Sequence, residues 1–230
     1  MSKKYFLTFL LLSVTYIVSA QMMLPSFMGS ISKPVIAQSS SVQIGTYIWA
    51  LKNLDVTTYR NGDPIPKVED PTLWASITYG AYCYYNNDST NYAQYGKIYN
   101  RYAQNDARGI APLGWHIPSV TEWEAFLTSI GGVKSNGNPV MWYGIGGSLK
   151  QTGFSGWVSP NTGATNSTGF TAIGVGQRQP NGTFQSIFTE VYFGASNSTS
   201  HFDLNYNNND VRFYPTSNSR WGMNIRLLKD

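Results

Sequence analysis

Residues 114–132 read GWHIPSVTEWEAFLTSIGG, and how this stretch is read decides the fold. Ser119-Val120-Thr121-Glu122 has the capping-box spacing: the Ser119 hydroxyl can accept from the backbone N–H of Glu122, while the Glu122 carboxylate reaches back to the N–H of Ser119. Trp123, Phe126, Leu127 and Ile130 then fall at i, i+3, i+4 and i+7 on one apolar face, and Gly131-Gly132 supplies a left-handed stop. The spacing predicts one clear helix near 119–130. The stretch also holds one of only two histidines in the chain, so His116 with Glu122 or Glu124 is the first acid–base pair to weigh. Glu122 already has a capping task, and nothing in the spacing binds these groups into a constellation. Trp115, His116, Ser119, Glu122, Trp123 and Phe126 are therefore read as structural, with His116 a hydrogen-bonded packing residue at the helix entrance.

Outward from the helix the chain alternates short apolar runs with polar loops. Upstream, VQIGTYIWALKNLDVTTYRNG carries Ile44, Tyr47 and Trp49 on strand-like runs and closes at the turn Asn61-Gly62-Asp63-Pro64. Aromatic runs follow on either side of the amide-rich loop 86–91 and read as strands or short helical turns. Downstream, Phe202, Leu204 and Tyr206 alternate with His201, Asp203 and Asn205. After the turn NNND, Val211 and Phe213 alternate with Arg212 and Tyr214, which predicts a β-hairpin. The closing WGMNIRLLKD puts Trp221, Met223, Ile225 and Leu227 on one face of an expected terminal strand. One helix among many short strands gives an α+β class, with short antiparallel strands and long loops.

At the N-terminus, Lys3 and Lys4 precede an apolar run from Tyr5 to about Val18 that ends in Ser19-Ala20. A secretory signal peptide is expected over residues 1–20, with no later run long enough to span a bilayer. Residues 21–41 have no sustained period and read as an extended arm or linker before one domain over 42–230. The mature protein is expected outside the cytoplasm, secreted or at the cell surface.

Composition removes several classes of function. The chain carries a formal charge of +4, two of which leave with the leader, too weak a field for nucleic acid. With one cysteine, Cys83, no internal disulfide can form, and His116, His201 and Cys83 are too few for a zinc site. Asp203, Asn205, Asn207 and Asp210 offer oxygens, but position six of a calcium loop would be Asn208 and position twelve Tyr214, so these amides are read as a hairpin turn. No phosphate-binding glycine loop is present, and neither cofactor nor metal is expected.

Charged residues are only 12% of the chain, so its surface must be polar through amides and hydroxyls. Aromatics beside amides can stack on a sugar face and satisfy its hydroxyls. Tyr85 with Asn87, and Tyr206 with Asn207, Asn208 and Arg212, are the candidate ligand-binding residues. The competing reading, that these tyrosines are half-buried strand residues, stays open.

In order along the chain, IWALKNLDVTTYRNGDPIP, WASITYGAYCYYNND, YGKIYNRYA, GIAPLGWHIPSVTEWEAF, SPNTGATNSTGFTAI and GMNIRLLKD resemble the Fibrobacter succinogenes major paralogous domain, a bacterial extracellular family. The resemblance implies a compact fold related to formylglycine-generating enzymes and C-type lectin-like domains, with terminal strands pairing near each other. Many members carry cysteines where this chain has Ala111 and Leu227, so those two residues are expected to be apolar neighbours. Members usually have a tryptophan at the place of Gly194. The paired cysteines of the sulfatase-activating enzymes cannot be reproduced by Cys83 alone. The function expected is thus a non-catalytic binding or adhesion module for an extracellular glycan or protein. A structural subunit self-associating through residues 21–41 is the alternative, and a formylglycine-generating-type enzyme is a third.

Overall fold

The computed structural model describes residues 40–230; the expected signal peptide and self-association through the arm lie outside the described residues, apart from Ser40 and Ser41. The decisive helix spans Val120–Ser129. Ser119 Oγ accepts from Glu122 N at 3.2 Å, and Glu122 Oε2 accepts from Ser119 N at 2.8 Å, which satisfies two orphan donors of the first turn. Gly131, at φ 94°, ends the helix, and Gly132 N donates back to Leu127 O. Trp123 packs between Phe193 and Phe202, at 5.7 and 5.2 Å, and Phe126 meets Trp49 at 4.7 Å. Cutting a side chain of this size to alanine costs roughly 3–5 kcal/mol, so this ring cluster dominates the core.

Three antiparallel sheets make up the strand framework, and the first two contribute to that core. The first orders its strands Ser41–Ile44, Tyr47–Ala50, Leu228–Lys229 and Trp115–His116, so the two ends of the domain pair through Trp49 and Leu228. The second runs Glu190–Gly194, His201–Asn205, Val211–Tyr214, Val140–Tyr143 and Val133–Lys134. The third runs Tyr82–Cys83, Ile98–Asn100, Gly222–Met223, Gln177–Arg178 and Phe184–Gln185. Short helices such as Pro71–Ser76 and Arg101–Gln104 fill the connections, and much of the rest is loop. The mixed α+β class holds. Among the described residues no helix is long and apolar enough to cross a membrane.

The closing segment departs from its expected form. Gly222–Met223 belongs to the third sheet and Leu228–Lys229 to the first, so it is a crossing rather than one docked strand. Met223, Ile225 and Leu227 are buried, but so are Asn224 and Arg226 on the opposite side. A segment running between two sheets is covered on both sides, and a polar residue there must find partners inside. Ala111 and Leu227 do lie in one apolar cluster, beside the strand Trp115–His116 that the C-terminal strand pairs with.

Buried cations take over the cross-linking that disulfides cannot supply. Arg226 donates to Ala50 O, Leu51 O, Phe170 O and Asn53 Oδ1 at 2.7–3.2 Å. Lys150 Nζ meets Thr162 O, Asn205 O and Asn208 O at 2.8–3.0 Å, tying the 161–166 loop to the hairpin turn. Arg178 holds Val68 O, Glu69 O and Gly182 O, and Arg101 holds Ala195 O, Thr199 O and Ser200 O. None of these four meets a carboxylate. Each gathers loop carbonyls that would otherwise be buried without donors, at about 1–3 kcal/mol apiece. Desolvation lowers the pKa of Lys150 to about 8 and also lowers those of Arg101 and Arg226.

Candidate functional site

The second sheet has two buried faces of different character. Val191, Phe193, Phe202, Leu204 and Val211 join the aromatic core. The intervening residues fall into cross-strand rows, Tyr192–Asp203–Arg212 and Gly194–His201–Tyr214. Alternation predicts that this polar side faces water, but His201 is 7% exposed and Asp203 0%. Gln104 and Arg101 close over it at Gly194, and Gln177, Thr216 and Trp221 join the sheet residues in lining a cavity of about 340 Å³.

Two carboxylates and one guanidinium organise the cavity wall. Arg212 Nε reaches Asp203 Oδ2 at 2.7 Å, and Nη2 reaches Glu190 Oε1 at 2.7 Å. Glu190 also accepts from Asn205 Nδ2, Ser186 Oγ and Tyr192 OH, so four donors fill its lone pairs. Desolvation raises the Glu190 pKa, but the hydrogen bonds from Tyr192, Ser186 and Arg212 outweigh it and hold the group below its ordinary value. Burial pushes Asp203 up to about 7 against the pull of Arg212, and pushes His201 down to about 3, with Arg101 and Arg212 adding to the effect. Three buried atoms on this wall have no protein partner: Asp203 Oδ1, Gln177 Oε1 and His201 Nδ1. Each such atom costs about 1–3 kcal/mol unless water or a ligand meets it.

Of the six candidate ligand-binding residues, only Arg212 lines this cavity. Tyr85 is buried against Tyr92 and Phe184, and Asn87 donates to Glu69 O from a left-handed backbone at φ 59°. Tyr206 packs on the aromatic core. Asn207 N donates to Asn205 Oδ1, Asn208 Oδ1 accepts from Asp210 N, and Asn209 bridges to Gly144 and Gly147. The amide run therefore builds the turn, because short amide side chains satisfy backbone groups two residues away. Tyr85 and Asn87 are thus engaged beside the strand Phe184–Gln185 and Glu69, and Tyr206, Asn207 and Asn208 at the hairpin turn.

The residues read as structural are engaged as follows. Trp115 is buried in the second apolar cluster. His116 is half-buried, with Nδ1 2.7 Å from Asp230 Oδ1 and Nε2 3.0 Å from Glu122 Oε1. It joins the C-terminus to the helix cap, a pairing that sequence spacing did not reveal because Asp230 arrives from the other end of the chain. Gly194 is a close approach: a Cβ there would collide with Gln104 Oε1 and stand 3.0 Å from Arg101 Nη1. Gln104 and Arg101 thus occupy the space into which a side chain at 194 would project.

Sequence reasoning missed Glu190, Tyr192, Asp203, His201 and Gln177 as site residues. The available signal was the hairpin itself, whose register sets Asp203 opposite Arg212 as a charge pair. No curated protein and no solved structure matches the chain. The model of the Fibrobacter succinogenes major domain matches residues 42–229, from the first strand to the last, and the chain belongs to that family.

Proposed function

We propose that the protein is an exported, non-catalytic binding module whose ligand, an extracellular glycan or protein, enters the cavity on the outer face of the second sheet. The observation that carries this reading is the contrast among the polar atoms of the cavity. Glu190 and the Oδ2 of Asp203 are fully engaged, while Asp203 Oδ1, Gln177 Oε1 and His201 Nδ1 await partners. A carboxylate acting as nucleophile or base needs a free lone pair; Glu190 has none, and Asp203 Oδ1 is the one carboxylate oxygen of the wall that keeps one. His201, pushed down to about 3, is an uncharged and weakly basic imidazole near neutral pH, so it is no imidazolium acid. Cys83 is fully buried and its thiol is pushed up to about 12 by desolvation, which argues against thiol oxidation of the formylglycine-generating type. Export is supported by the order of basic, apolar and small residues over 3–20, and a C-type lectin-like scaffold by the pairing of the two ends.

The test is secreted expression followed by arrays of glycans and of extracellular proteins, using the wild-type chain and Arg212→Met. Retention on an array that the variant loses, with the ligand recovered intact, is the expected result. Chemical conversion of a retained ligand, or no retention on any array, would sink the reading.

A further inference from the structure

The ligand class can be drawn from the same cavity, and this step rests on the binding reading above. Asp203 Oδ1 and Gln177 Oε1 are acceptors without donors, on residues 0% and 4% exposed. On the donor side, Arg212 commits Nε and Nη2 to Asp203 and Glu190, and its Nη1 makes no hydrogen bond among the described residues. A ligand must therefore bring donors to Asp203 and Gln177 and an acceptor to Arg212. A hydroxyl group does both.

Charge narrows the class further. Arg212 stands between two carboxylates and His201 is held neutral, so an anion would meet Glu190 and Asp203 with the wall's one cation already paired. An ammonium group would be opposed by Arg212, with Arg101 behind His201. Neither sign of ligand charge is favoured. The cavity, about 340 Å³, lies at the low end of the roughly 300–1,000 Å³ of small-ligand sites. At its rim Tyr214 stacks on His201 with centroids 5.8 Å apart, and Trp221 and the Thr216 hydroxyl complete the lining. Fixed rings beside hydroxyl partners suit the mixed polar and C–H surface of a sugar.

We infer that the cavity takes one neutral pyranose at the end of a glycan, with adjacent hydroxyls spanning Asp203 and Arg212, a third donating to Gln177, and the ring edge against Tyr214 and Trp221. The binding is noncovalent.

The test titrates the full chain with methyl glycosides of glucose, galactose, mannose and fucose, and with the uronates and N-trimethylated amino sugars of the hexoses, at pH 8, where Asp203 is an ionised acceptor, read by tryptophan fluorescence and ligand-observed NMR. At least one neutral glycoside should bind tenfold or more tightly than its charged analogues. Gln177→Leu removes an acceptor that has no partner in the fold, so it should leave Tm unchanged or higher while weakening the neutral glycoside tenfold or more. Thr216→Val, a rim change that also removes the hydrogen bond to Thr199 O, is the second variant and should weaken it with a small fall in Tm. A uronate or amino sugar binding as tightly as the neutral sugar, with the Gln177 dependence intact, overturns the ligand class and leaves the cavity. Neutral binding indifferent to both variants, or array retention with no sugar bound, overturns the class as well. No retention of any probe or array ligand overturns the binding reading itself.

Discussion

Arg226 and Arg212 are both drawn into the molecule, and they end in opposite kinds of place. Arg226 is 2% exposed and meets carbonyl oxygens and an amide, with no carboxylate. Its charge is spread over loop dipoles, and it holds the crossing segment to the domain's N-terminal strands. Arg212 keeps one edge toward a cavity and spends the other on two carboxylates, leaving Asp203 Oδ1 without a donor. The difference teaches how to tell a staple from a site. Arg226 satisfies the groups around it and holds loops, whereas Arg212 leaves an unpaired carboxylate oxygen on a residue that lines the cavity.

The largest test of that distinction is Arg226→Met. Losing the guanidinium orphans several buried acceptors at once, so the variant should lose about 3–5 kcal/mol of stability, read as a shift in the urea midpoint. A small loss would mean that the loops find water instead, and the staple reading would fail. Arg212→Met should cost less, about 2 kcal/mol, because the group is partly exposed and Asp203 can take up a proton. It should fold, with an unchanged near-UV spectrum, and lose ligand retention.

Asp203→Asn sharpens the comparison through pH. Burial raises the Asp203 carboxyl to about 7, so between about pH 4 and 7 the folded state holds a proton that the unfolded chain has released. The stability this group contributes is therefore present at low pH and lost as pH rises through 7. His201 works in the other direction: its proton is excluded from the fold, so falling pH favours the unfolded chain, starting near about 6.5. Glu190, Tyr192, Arg212 and Arg101 face the same pair. Comparing Asp203→Asn with wild type isolates the first effect, and the variant's relative stability should rise by about 2–3 kcal/mol between pH 5 and pH 8. A relative stability that falls over this range would mean that Arg212 outweighs burial.

The smallest effect belongs to His116→Gln. His116 also sits between two carboxylates, Glu122 and Asp230, but all three are half-buried or exposed, and no unpartnered atom is found among them. Solvent screens such contacts, so the stability change should be about 0.5 kcal/mol, with ligand retention unaffected. Lost retention would move the site to this end of the molecule.

Much of the fold was legible because it is written in local chemistry. Ser119, Glu122, Trp123, Phe126 and Gly131 specify a helix by spacing alone, and Phe202, Leu204 and Val211 specify the apolar side of a hairpin. The site was less legible. Asp203 and Arg212 could be paired from the hairpin register, but Gln177 comes from another sheet and Trp221 from the closing segment. The tyrosines and amides that advertise a sugar surface, Tyr85, Asn87, Tyr206, Asn207 and Asn208, were drawn instead into packing and turns, because a buried backbone in long loops needs local partners first.

By itself the sequence determined the helix and its cap, the hairpin, the α+β class and the family, since each rests on contacts between residues near in the chain or on ordered motifs. Tertiary structure alone decided that the polar face of the hairpin would be buried, that Arg226 and Lys150 would gather distant carbonyls, and that three polar atoms on cavity-lining residues would be left without partners. Burial is the reason: whether a polar side chain meets water, a backbone carbonyl or nothing depends on which distant segment lies over it, and period-two alternation carries no information about that segment.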